Sequence, residues 1–260
     1  MIKLDVSKVE FSKNDLRLGI KIPEHLTEDL AYFLGFHVGD GHMSILKRKN
    51  KIDYRLAYDD HYENGFLWYV EYIKPLIKKL FNKEIIITKT TRGTVNISFR
   101  SKAVLTFLNN CCEIPCGPKK HISVPSILRN SNNSLKAKFL RGLADTDFSL
   151  SFKKNGKYPT INHGTYSKTL HESVKLLLAD LGITYFAAAY HRERKGTKLI
   201  TYQIDINGKN TLKQWMDLIG FSSYNSITRY LVWSKTGKLS PGTNVYDRIK
   251  ILEERGIKFP

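Results

Sequence analysis

A chain of 260 residues with 42% hydrophobic and 25% charged side chains has the composition of a folded globular protein, which excludes a disordered or collagen-like chain. Its 42 Lys and Arg outnumber 24 Asp and Glu, leaving a formal charge of +18 that calls for a polyanionic partner. No apolar run approaches the roughly 20 residues of a spanning helix, and the charged start MIKLDVSKVEFSKNDL has no signal core, so no membrane partner and a cytoplasmic location are expected.

Residues 1–26 read as a leader. After Thr27, a plausible N-cap, an apolar segment of helix length ends in FLGFHVGDG (Phe33 to Gly41). Two strand-like stretches follow, HMSILKRK and DYRLAYDDH, then an amphipathic segment near 63–82, the strands EIIITKT and TVNISFR, and a helical pattern over 102–112. Cys111, Cys112 and Cys116 are clustered and odd in number, a poor disulfide framework, and read as reduced thiols at a helix end. The Gly, Pro, Ser and Asn of residues 117–133 mark a linker. A second helix-length segment follows Ser134, its expected N-cap, and ends in LRGLADTDF (Leu140 to Phe148). Strands around FSLSFKK and YPTINHGTYS, a helical SKTLHESVKLLLADLG, strands TYFAAAYHRER and TKLITYQIDI, and a helix near 209–219 complete the series. Residues 221–260 form a basic tail with a helical pattern near 245–255.

Aligning Gly35 with Gly142 brings Asp40 onto Asp147, a period of 107. The period divides the chain into two halves, 27–116 and 134–220, each reading αββαββα, an α+β fold. In TVNISFR, Val95, Ile97 and Phe99 point one way and Thr94, Asn96, Ser98 and Arg100 the other, so each sheet has an oily and a basic polar face. Gly35 and Gly39, and at the matching places Gly142 and Thr146, put small residues four apart on one helix face, where two helices can approach backbone to backbone. Such packing delivers Asp40 and Asp147 together. Two adjacent carboxylates require a cation, and hard oxygen donors suit Mg²⁺, with Mn²⁺ as a substitute.

FLGFHVGDG and LRGLADTDF resemble the two signature helices of the LAGLIDADG homing endonucleases in their single-chain form, over about residues 27–220. The resemblance implies a saddle of two antiparallel four-stranded sheets straddling double-stranded DNA and a monomer with internal pseudo-twofold symmetry. It also implies an intron-encoded, site-specific, metal-dependent endonuclease hydrolysing phosphodiester bonds. Carried over, Asp40 and Asp147 are catalytic metal ligands, with the carbonyls of Gly39 and Thr146 as further ligands and Lys102 and Lys209 as catalytic cations. Weaker candidates stand at the end of the second strand of each half, Asp60 and His61, then Thr165 and Tyr166. The motif's closing glycine is present as Gly41 but replaced by Phe148 in the second half. That departure leaves open a catalytically impaired DNA-binding protein or an intron RNA maturase. With Met1 at the start and no Cys or Ser splice nucleophile there, a free-standing nuclease is expected over an intein.

The polar sheet faces carry the DNA-reading candidates: Lys47, Lys49, Arg55, Lys89, Arg92, Asn96 and Arg100, then Lys153, Lys157, Asn162, His163, Arg192, Arg194, Lys198 and Gln203. Arg and Lys pair with guanine edges or phosphate, and Asn and Gln with adenine, from strands laid in the major groove.

Overall fold

Two helices packed closely against each other hold the halves together, and the sheets hang from their C-terminal ends. A computed structural model of the protein describes residues 2–49, 51–194 and 196–259. In chain order come β1 (Ile2–Lys3), α1 (Lys13–Arg17), β2 (His25–Leu26), α2 (Glu28–Asp40), β3 (His42–Arg48), β4 (Lys51–His61) and α3 (Tyr62–Trp68). A π turn (Tyr69–Ile73) joins α3 to α4 (Lys74–Phe81), followed by β5 (Ile87–Lys89), β6 (Thr94–Arg100), α5 (Lys102–Thr106) with its own π turn (Phe107–Cys111), and α6 (Ser126–Arg129). The second half has α7 (Asn133–Asp147), β7 (Phe148–Phe152), the single turn α8 (Lys153–Gly156), β8 (Tyr158–Thr165), α9 (Lys168–Asp180), β9 (Phe186–Arg194), β10 (Thr197–Asn207) and α10 (Lys209–Leu218). Two further helices, α11 (Tyr224–Thr236) and α12 (Val245–Glu253), follow.

The sheets have the matching orders β3-β4-β6-β5 and β7-β8-β10-β9, all pairs antiparallel. Val95, Ile97 and Phe99 are buried against the helices, and Leu150, Ile161, Ile204 and Ile206 do the same work in the second half. The edge strands β3 and β7 are each met from outside at the same repeat position. The linker amide of Gly117 donates to the Met43 carbonyl at 3.1 Å, and the Arg229 guanidinium to Leu150 at 3.0 Å.

Between α2 and α7 the two glycines set the distance. A Cβ built on Gly35 would lie 2.0 Å from the Phe139 carbonyl oxygen, and one on Gly142 would lie 2.0 Å from that of Tyr32. Each helix thus rests its glycine on the other's backbone. Thr27 caps α2 through its hydroxyl, which accepts from the Leu30 amide at 3.2 Å. The cap of α7 is Asn132 rather than Ser134, because Asn132 has the extended backbone and its side-chain oxygen accepts from Leu135 at 3.0 Å. Ser134 instead donates to Glu28 across the helix pair at 2.5 Å. All three cysteines are free thiols, with Cys112 buried. No helix among the described residues is long and apolar enough to cross a membrane.

The leader is fastened by one buried carboxylate. Asp15 accepts from the Ser101 hydroxyl at 2.7 Å and from the amides of Lys102 and Ala103 at 3.1 and 3.2 Å, at the start of α5. Burial raises its pKa, but the hydrogen bonds from Ser12, Ser101 and Ala103 outweigh that and hold it below the ordinary value. Asp15→Ala leaves these donors without an acceptor and is expected to cost about 2–3 kcal/mol, measured by urea unfolding at pH 7.

Candidate active site

α2 and α7 end at Asp40 and Asp147, and their close approach brings the two ends together. Asp147's carboxyl carbon lies 3.4 Å from where a Cβ on Gly39 would stand, and that same Cβ would strike the Thr146 hydroxyl. Gly39 and Thr146 are therefore neighbours across the pseudo-twofold, beside both acids. Burial, then Asp147 and Asp60, push Asp40 up to about 7. Burial pushes Asp147 up to about 6 while Lys119 pulls it down.

Asp60, at the end of β4, is raised mainly by burial, and its carboxylate accepts from the His61 amide at 2.6 Å. Asp59 and Asp60 add negative charge beside Asp40. The π turn inserts Tyr69 here. Its hydroxyl is buried without a hydrogen-bond partner, and after burial it is Asp40, Asp60 and Asp59 that raise its pKa. His61 is exposed. On the other side, Thr165 and Tyr166 line a cleft of 350 Å³ with Gly39, Lys119, Lys120 and Asp147.

The cation at this site comes from the linker. Lys119 Nζ donates to the carbonyls of His37, Val38 and Gly39 at 3.2, 2.9 and 2.5 Å, closing the end of α2. Burial lowers its pKa while Asp147 and Asp40 raise it, and burial prevails. Lys102 and Lys209 stand elsewhere. Lys102 pairs with Glu10 at 2.5 Å and lines a separate cleft with Asp53, Tyr54 and Arg100, toward the opposite end of β4 from Asp60. Lys209 is exposed at the start of α10, two residues beyond Asn207, which pairs with Thr160 rather than with Thr165.

Phe148 stays clear of the acids. It is 6% exposed, stacks on His163 with ring centroids 4.5 Å apart and packs on Trp215. A Cβ on Gly41 would lie 2.4 Å from His37 Nδ1 and 2.5 Å from the His37 carbonyl oxygen; the residue matching His37 in α7 is Ala144, whose small side chain removes the first of these contacts.

Of the DNA-reading candidates, Lys47, Lys49, Lys89, Arg92, Lys153, Lys157, Arg192 and Lys198 are exposed. Lys89 lies 4.0 Å over the Tyr62 ring. Others have partners: Arg100 with Asp53 at 2.6 Å, Arg55 with Ser98 at 2.9 Å, Asn96 with Asp59 at 2.7 Å. Asn162 and Gln203 both donate to Asp205, at 2.5 and 2.7 Å. His163 is corrected. It is 1% exposed on the core side of β8, burial lowers its pKa to about 4, and neither ring nitrogen has a partner. The Arg194 side chain lies outside the described residues.

The family described as LAGLIDADG-like domain matches residues 134–220. Over about three quarters of the chain, the two-motif LAGLIDADG fold is shared with solved structures of the homing endonuclease I-DmoI. One, of its mesophilic variants, is 22% identical with a TM-score of 0.54 and covers 74% of this chain and 95% of that one. Another, in complex with DNA and Mn, is 22% identical with a TM-score of 0.55 and covers 75% of this chain and 98% of that one. Among curated relatives, the "Probable translation initiation factor IF-2" of Methanocaldococcus jannaschii is 27% identical over 96% of this chain. The "DNA polymerase" of the same organism is 28% identical over 65%. The chain spans only 21% and 9% of these two proteins' lengths.

Proposed function

We propose that the protein is a site-specific endonuclease that grips double-stranded DNA on the polar faces of its two sheets, as a monomer, and hydrolyses phosphodiester bonds with a divalent metal ion. The observation that carries this reading is the meeting of Asp40 and Asp147 at the ends of two repeat-related helices on a protein of formal charge +18. Among the described residues no three His, Cys, Asp or Glu side chains gather as a metal site. Two carboxylates and the Gly39 carbonyl nevertheless form an oxygen-only donor set, which fits Mg²⁺ or Mn²⁺ because such ions complete their shell with water and phosphate oxygens. A bound divalent ion supplies an activated water and neutralises charge on the phosphate. Asp40 and Asp147 would hold it, with Gly39 and Thr146 carbonyls completing the protein's share. The exposed lysines and arginines of both sheets neutralise phosphates and fix the duplex over the acid pair. I-DmoI, whose fold this chain shares, is described as a homing endonuclease and was crystallised with DNA and Mn. Relatives named for unrelated activities share a segment similar to this chain, which supports a mobile sequence of the kind a site-specific nuclease propagates.

A plasmid library of candidate sites incubated with Mg²⁺ tests the proposal: linear product is expected, and none without divalent ion. Asp40→Asn and Asp147→Asn are each expected to slow cutting by about 10³-fold or more while gel-shift affinity stays within a few-fold. A double variant that cuts at the wild-type rate removes the proposal. A gel shift with neither nicked nor linear product turns the reading to a DNA-binding protein without cleavage.

A further inference from the structure

Lys119 stands outside the repeat: it lies in the linker, one period on position 226 is a serine, and among the described residues no lysine or arginine donates to the last carbonyls of α7. The half-buried Lys119 ammonium donates to three successive carbonyls at the end of α2, the shortest contact being 2.5 Å to Gly39. Asp147 and Asp40 both act on its charge, and it lines the cleft that opens onto Asp147. A helix C-terminus and two carboxylates together form a strongly negative pocket, and the Lys119 ammonium sits covalently tethered at its edge. The Gly39 carbonyl it occupies is one of the oxygens that a divalent ion would need.

We propose that Lys119 is a built-in counter-ion for the acid pair: it holds Asp40 and Asp147 together in the metal-free protein and gives up the Gly39 carbonyl when a divalent ion binds, so that it sets the metal affinity of the site. The proposal rests on the reading of Asp40 and Asp147 as metal ligands. Two cations cannot share the Gly39 carbonyl beside the acid pair without repulsion, so binding a divalent ion there includes the work of moving the ammonium away. Methionine has nearly the length of lysine without its charge, and it removes that work. It also leaves the carboxylates facing each other in the metal-free state.

Calorimetric titration of Mn²⁺ into DNA-free protein tests the first consequence. Lys119→Met is expected to bind Mn²⁺ about tenfold tighter or more, with Lys119→Arg near wild type. Equal or weaker binding by Lys119→Met overturns the proposal. Thermal melts in EDTA test the second. Lys119→Met is expected to lower the Tm in the wild-type background and to lower it much less when Asp40→Asn and Asp147→Asn are also present. The same loss in both backgrounds identifies a plain helix cap and likewise overturns the counter-ion role. If neither wild type nor variant binds Mn²⁺, the metal-ligand reading fails and this proposal with it. If Lys119→Met binds Mn²⁺ more tightly yet wild type cuts no DNA, the counter-ion role stands and the nuclease reading falls.

Discussion

Replacing Gly142 with alanine is expected to cost about 3 kcal/mol or more and to lower the Tm by roughly 6–12 °C, with cleavage lost. The new Cβ would stand 2.0 Å from the Tyr32 carbonyl oxygen and 2.8 Å from the Phe36 amide nitrogen. Both obstacles are backbone inside a helix, so no rotamer change relieves them and the helices must separate. Gly35→Ala meets the equivalent pair across the pseudo-twofold, the Phe139 oxygen at 2.0 Å and the Leu143 nitrogen at 2.8 Å, and should behave alike. Separation by about 1 Å also moves Asp40 away from Asp147, and misplacement on that scale costs catalysis about 10²-fold. Gly164→Ala is the control. Its Cβ would approach nothing nearer than Thr201 Cγ2 at 3.9 Å, so a change under about 0.5 kcal/mol is expected. Denaturant unfolding of the three variants with a parallel cleavage assay checks this, and equal stability of Gly142→Ala and Gly164→Ala contradicts the close-packed helix pair.

The helix pair was legible because a repeat period of 107 marks Gly35 with Gly142 and Asp40 with Asp147, and symmetry-related helices must meet at their smallest residues. The strands were legible from alternation, and alternation also held the signal that His163 faces inward. It stands two residues from buried Ile161 and out of phase with Asn162, whose side chain reaches Asp205. Its polar type overrode its phase. Phe148 was ambiguous for a similar reason. It accompanies an i, i+4 exchange, His37 with Gly41 in one half and Ala144 with Phe148 in the other, which a motif compared column by column does not display. Lys119 had no sequence signal at all, because the linker lies outside the repeat and only the folded chain brings residue 119 back onto the carbonyls of 37–39. Lys102 and Lys209 show the converse. Their spacing of one period is real, but the antiparallel register carries the end of β6 to Arg55 rather than to Asp60.

Asp40→Asn is expected to stabilise the metal-free protein at pH 8 by about 2–3 kcal/mol and to have little effect at pH 4. Burial first, then Asp147 and Asp60, raise Asp40 from 3.8 to about 7, and burial raises Asp147 to about 6. The folded chain therefore keeps protons that the unfolded chain releases above pH 4. Between pH 4 and 7 each rise in pH favours the unfolded state, by up to roughly 1.4 kcal/mol per unit for a single group, and above 7 the penalty is complete. Asp15, with its lowered pKa, gives the opposite slope at lower pH, so the acid pair is isolated by subtracting the Asp40→Asn stability curve from wild type. Divalent ions compete for the same protons. At sub-saturating Mg²⁺, cleavage should climb up to about tenfold per unit from pH 6 and level off above 7, with the midpoint moving lower as Mg²⁺ is raised. A Mg²⁺-independent midpoint assigns the rise to a group other than the two carboxylates. Wild-type and Asp40→Asn stability curves that run parallel from pH 4 to 8 show that the carboxylate is ionised throughout, in which case Lys119 rather than burial governs its charge.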